Sequence, residues 1–155
     1  MSLASRLLRT RWLVRAPIAL FRLRLGWIFG TRMLLLEHRG RKTGNPRFVV
    51  LEVAERPEPD AFVVVAGLGP GSQWFRNIQA NPDVRISVGT RREKPAKARV
   101  LTPDDGARAI ARYRVEHPTA FAKLEEVMRE WAEPLARRSS WEELVPVVEL
   151  RLNRA

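Results

Sequence analysis

Cysteine is absent from this chain, and histidine (two) and tyrosine (one) are nearly so. Without cysteine there is no disulfide framework, thiolate metal site or sulfur nucleophile, which fits a reducing compartment. The only histidines, His38 and His117, lie far apart, so no metal centre is expected. Long apolar runs are missing too: in residues 3 to 29 the longest uncharged run is six residues, against the ~20 needed to span a bilayer. That start has no apolar core followed by a small-residue cleavage site, so secretion is not expected. Acidic residues are scarce at one end only. Residues 1 to 50 carry eleven Arg and Lys against the single acid Glu37, whereas the remainder is nearly balanced, although the whole chain has a net charge of +11. A one-ended positive field draws anionic partners, whether lipid headgroups, nucleic acid or an anionic cofactor.

What is present suffices for one domain. With 155 residues and 45% apolar content the chain can bury a real core. Residues 1 to 155 are read as a single domain in which 1 to 30 form a basic, apolar helical extension. Arginines alternate there with Trp12, Phe21, Trp27 and Phe29, and no clean amphipathic stripe emerges. Two readings stand: the segment lies on an anionic membrane surface, or it is a pair of helices packed on the domain with their arginine stems snorkelling. Pro17 suits the first turn of the second helix. Nucleic-acid binding is not expected, because neither a helix-turn-helix nor a stacking platform is legible.

The central stretch is Arg39-Gly40-Arg41-Lys42-Thr43-Gly44-Asn45-Pro46-Arg47, between the apolar runs Met33 to Leu36 and Phe48 to Leu51. This spacing predicts a hairpin with a cationic tip, in which glycines permit positive φ and leave backbone N–H groups uncovered for a phosphate or carboxylate. Arg56 to Asp60 reads as an acidic linker and Ala61 to Ala66 as a buried strand. The glycine-rich Gly67 to Gly71 follows, then a short helix from Ser72 to about Ala80, closed by Asn81-Pro82. A helix start after such a turn favours an anion. Val84 to Val88 and Lys97 to Leu101 pair as strands around a turn at Gly89 to Pro95. Thr102-Pro103-Asp104-Asp105 opens a helix to about Arg114, and 119 to 131 is a second helix with an apolar stripe at Phe121, Leu124, Val127, Met128 and Trp131. Val145 to Leu150 is a last strand whose Pro146 argues for an edge or a strand start. The fold class is therefore α+β, with a mainly antiparallel, barrel-like sheet. Gly-x-Ser-x-Gly, Walker and dinucleotide-binding fingerprints are all absent.

Taken together, the order Gly-Arg-Lys-Thr-Gly-x-Pro-Arg, strands, glycine-rich loop and Trp74-x-x-Asn77-x-x-Ala80-Asn81-Pro82 resembles the deazaflavin-dependent nitroreductase family. The resemblance covers roughly residues 33 to 118. It implies a split β-barrel with a six-stranded sheet, N-terminal helices, a short helix and C-terminal helices, acting with coenzyme F-420. Carried over by motif position, Arg41, Lys42, Thr43 and Arg47 meet the anionic tail of the coenzyme, Ala66 and Gly67 offer backbone groups, and Trp74 and Asn77 wall the ring site. Read without that context, Trp74 is a core tryptophan and Asn77 a capping or loop-bridging amide.

The activity implied is hydride transfer from the reduced coenzyme to a small lipophilic acceptor, a quinone or nitroaromatic, with Tyr113 or His117 polarising it. As the residue before Pro118, His117 is also explained as a helix terminus. The family's nitroreductases carry a Ser-Lys-Gly-Gly loop and several lid tyrosines. Here the loop is Gly67-Leu68-Gly69-Pro70 and Tyr113 stands alone, so a quinone fits at least as well. FMN in place of the deazaflavin, or a non-catalytic fatty-acid or cofactor carrier, are the alternatives. The expected setting is cytoplasmic, with peripheral attachment to an anionic membrane through residues 3 to 29, as a monomer or homodimer.

Overall fold

The computed structural model describes residues 18–21 and 30–154. Seven strands form one antiparallel sheet in which β1 (Met33–Arg39), β2 (Pro46–Glu52), β3 (Glu55–Glu58), β4 (Ala61–Val65), β5 (Asp83–Val88), β6 (Arg91–Val100) and β7 (Val147–Leu152) follow the order β2-β1-β5-β6-β7-β4-β3. Helix α1 (Gln73–Ala80) lies between β4 and β5, and α2 (Pro103–Glu116) and α3 (Pro118–Ala132) between β6 and β7. Two 3-10 turns, Glu133–Leu135 and Trp141–Leu144, lead into β7.

Strand alternation sorts the side chains. Leu34 and Leu36 of β1, Phe62 and Val64 of β4, Ile86 of β5 and Val148 and Leu150 of β7 meet Trp74, Phe75 and Ile78 of α1 in the inner core. On the opposite face Val63 and Val147 pack against Ala109, Ile110 and Tyr113 of α2 and Phe121 and Met128 of α3. Because β4 is covered on both faces, it reads as a continuous apolar run rather than an alternating one. Truncating the fully buried Phe62 to alanine would cost ~3–5 kcal/mol.

The sheet has one strand more than the six expected. The acidic linker is in fact β3, which pairs Glu55 with Val63 and Glu58 with Ala61 across a register shift. Its Pro57 has no N–H to donate, which confines such a strand to an edge and hides it in a Pro-rich sequence. The turn expected over Gly89 to Pro95 shrinks to Gly89 and Thr90, and β6 starts at Arg91. Pro95 is tolerated because it falls just before Ala96, where β6 begins pairing with β7. Pro146 precedes β7, so of its two options the strand start holds; β7 itself is central.

Helix α2 follows the sequence closely: Thr102 is its N-cap, accepting from Asp105 N at 3.2 Å, with Pro103 in the first turn. Ser72 occupies the N-cap position of α1 but makes no cap bond; its hydroxyl donates instead to Gly69 O at 2.8 Å. The expected extension of residues 1 to 30 falls mostly outside the described residues, including Pro17. Residues 18 to 21 are helical, with Phe21 buried. No helix among the described residues is long and apolar enough to cross a membrane.

Candidate functional site

The hairpin forms where expected. Strands β1 and β2 pair from Met33↔Glu52 to Arg39↔Pro46, which leaves Gly40 to Asn45 as the tip. Gly40 N donates to Asn45 O and Gly44 N to Gly40 O, each at 2.8 Å. Gly44 takes φ +74°, a conformation other residues adopt with strain, whereas at Gly40 the space is tight: a Cβ there would stand 3.2 Å from Thr43 Oγ1. Arg47 belongs to β2, opposite His38, rather than to the tip itself. Among the described residues, none of Arg41, Lys42 and Arg47 forms an ion pair with a carboxylate, although most other arginines do.

Helix α1 docks on this tip through Asn77, which is 4% exposed. Its Oδ1 accepts from Arg41 twice, from the backbone N at 3.1 Å and from Nη1 at 2.9 Å, while its Nδ2 lies 3.0 Å from His38 Nδ1. Burial, helped by the Arg47 charge, lowers the His38 imidazole to about 4. A strand, the hairpin tip and a helix thus meet at one amide. Trp74, one helical turn earlier, is 8% exposed and edge-on to Phe75 with ring centroids 6.0 Å apart. It is a core residue and a wall at once.

Tip and helix open onto one cavity of about 1560 Å³, floored by Phe48 to Leu51 of β2 and reached by Ile18, Ala19, Gly67, Leu68, Leu124, Glu52 and Tyr113. The glycine loop closes one side. Gly69 has φ +101° beneath the Trp131 ring, and a Cβ on Gly67 would come within 2.4 Å of Leu124 Cδ1. Trp131 Nε1 donates to Gly67 O at 2.8 Å.

At the end away from the tip stands Tyr113, 1% exposed, whose hydroxyl has no hydrogen-bond partner among the described residues. Burial and the neighbouring Glu52 carboxylate push this phenol above its ordinary value, so it stays protonated. Arg32 secures the surroundings: Nη2 donates to Glu52 Oε1 at 2.9 Å and Nη1 lies 2.6 Å from His117 Nδ1. Because a guanidinium only donates, that nitrogen of His117 accepts and its proton resides on Nε2.

Of the ten residues expected at a site, eight line the cavity: Arg41, Lys42, Thr43, Arg47, Gly67, Trp74, Asn77 and Tyr113. Two do not. Ala66 is 1% exposed, with its N donating to Pro146 O and its carbonyl accepting from Gly69 N, so neither group is offered to the cavity. His117 caps the junction of α2 and α3, its side chain engaged by Arg32. Sequence reasoning passed over His38, Arg32 and Glu52. The signal for His38 was its place in the alternation Leu34, Leu36, His38, a histidine on the buried face of a strand. For Arg32 and Glu52 there was none, because their meeting depends on the hairpin register.

A half-open barrel with a cationic mouth and a partly aromatic wall defines a split β-barrel protein. Within that class the chain belongs to the F-420H(2)-dependent quinone reductase family, whose family model matches residues 23–130. A putative F-420H(2)-dependent quinone reductase of Mycobacterium tuberculosis is 40% identical over 77 residues, 48% of this chain and 63% of that one. A second F-420H(2)-dependent quinone reductase from the same organism is 44% identical over 64 residues, 38% of this chain and 40% of that one. The chain thus spans less than two thirds of the length of these curated relatives. Among solved structures, an F-420-H2 dependent reductase superposes with a TM-score of 0.53 at 22% identity, over 77% of this chain and 94% of that one. It has the same fold.

Proposed function

We propose that this protein binds reduced coenzyme F-420 in the cavity and reduces a quinone there. The observation that carries this is the gathering on one cavity of three cations without an acidic partner among the described residues, an indole, and a buried hydroxyl likewise without a hydrogen-bond partner among them. The donor set fits the coenzyme: Arg41, Lys42 and Arg47 suit the anionic tail through charge-assisted bonds, Thr43 adds a hydroxyl, and Trp74 offers a flat edge to a flat ring. When bound, the reduced deazaflavin supplies a hydride, which together with one proton converts a quinone to a hydroquinone while the deazaflavin loses two electrons.

The chain's own part is binding and orientation. Tyr113 donates to the acceptor oxygen and, held protonated, does so across the working pH range. His117 acts at one remove, keeping Arg32 and Glu52 in place beside Tyr113. Gly67 leaves its backbone N–H at the cavity wall, and Asn77 contacts the site through Arg41. The solitary tyrosine and the loop without lysine favour a quinone over a nitroaromatic.

The setting proposed is cytoplasmic, with residues 3 to 29 resting on an anionic membrane where lipophilic quinones partition; their arginine and aromatic content supports this. A homodimer is supported by the free edge of β2, which pairs only with β1 among the described residues. The deciding experiment mixes the purified protein with reduced F-420 and menadione and follows the return of the oxidised-coenzyme absorbance. Turnover that depends on the protein is expected. Turnover with reduced FMN alone, or a co-purified fatty acid and no turnover, would replace this reading.

A further inference from the structure

The orientation of the Asn77 amide is not arbitrary. Arginine carries donors only, so the atom facing both Arg41 N and Arg41 Nη1 must be the carbonyl oxygen, at 3.1 and 2.9 Å. Nδ2 is then the atom 3.0 Å from His38 Nδ1, and it donates. His38 must accept, so its proton sits on Nε2. A chain of fixed polarity therefore runs from β1 through α1 to the tip, and its inner members, His38 and Asn77, are each 4% exposed.

The chemistry of residue 77 has a consequence for charge. An acid in this place would hold Arg41 equally well but would cancel its cation. A carboxamide fixes both the backbone and the guanidinium of Arg41 and leaves the full positive charge facing the cavity. It also removes in advance the rotamer entropy that an exposed arginine would lose on gripping an anion.

We propose that Asn77, backed by His38, is a positioning residue that presents Arg41 as an uncancelled, preorganised cation to the anionic tail of the ligand. This rests on the coenzyme reading above. Asn77 does not bind the ring; it acts through Arg41.

Affinities for two probes separate the possibilities: coenzyme F-420, and the same deazaflavin chromophore cut back to its ribityl side chain. Asn77→Asp is expected to weaken F-420 about ten- to hundredfold, the worth of a charge-assisted bond, and to change the tailless chromophore far less. In an Arg41→Ala background, Asn77→Ala should cost little further affinity, because the residue it serves is gone. Imidazole NMR gives a readout independent of the coenzyme: His38 of the Asn77→Asp variant should titrate well above the wild-type value of about 4. Equal losses for both probes, or additive losses in the double variant, would overturn the positioning role. If the wild-type chain binds neither probe, the coenzyme reading fails instead, and the His38 titration still decides whether the clamp exists.

Discussion

Trp131 Nε1 donates to the carbonyl of Gly67 at 2.8 Å, so an indole on α3 holds the glycine loop that walls the cavity. Leu124, two turns earlier on the same helix, lies so close that a methyl group on Gly67 would meet its Cδ1 at 2.4 Å. The helix and the loop behave as one packed unit.

Gly67→Ala is therefore expected to push the Leu124 side chain aside toward the cavity, at little cost in stability because that side chain is only half-buried, and to lower coenzyme affinity. The double variant Gly67→Ala with Leu124→Ala should recover most of the affinity, since the added methyl then has room. Urea unfolding and a fluorescence titration of each variant check this. Failure of the second substitution to rescue the first would show that the loop needs Gly67 for another reason.

Tyr113 separates stability from activity. Its hydroxyl is buried without a hydrogen-bond partner among the described residues, beside the Glu52 carboxylate, so Tyr113→Phe should leave stability within ~1 kcal/mol of wild type. Quinone reduction should fall about ten- to hundredfold in kcat/KM as one donor to the acceptor is lost, while coenzyme affinity stays near wild type. A variant that is both less stable and fully active would contradict the assigned role.

His38 makes stability depend on pH. In the folded protein the imidazole is lowered to about 4, below its value in the unfolded chain of about 6.5. Between those limits the unfolded state binds more protons. The contribution is intact above about pH 6.5 and is lost as pH falls toward 4, on the order of 2–3 kcal/mol. Unfolding measured between pH 7 and 4 should show this slope, and His38→Gln should flatten it. A slope unchanged in the variant would assign the effect to carboxylates.

Patterns of short range were legible from the residues alone. The hairpin at Gly40 to Asn45, the cap at Thr102, the starts of α2 and α3, and the buried run of β4 all follow from turn chemistry, capping and periodicity, which act within a few residues. The stripe Phe121, Leu124, Val127, Met128, Trp131 was legible as core, yet only the fold shows it divided: Phe121, Val127 and Met128 are buried, while Leu124 and Trp131 face the glycine loop. β3 was missed because Pro57 within it and Pro59 just after it look like a linker until β4 pairs with it.

The chain by itself determined that a cationic tip and a tryptophan-bearing helix would form, because each is encoded by adjacent residues. Tertiary structure alone decided that they touch, through Asn77, Arg41 and His38, and that Arg32 brings Glu52 and His117 to the far end of the same cavity. Those meetings join residues between 20 and 85 positions apart. They are set by strand register and helix docking, and a hydrogen bond that spans such distances leaves no periodicity to read.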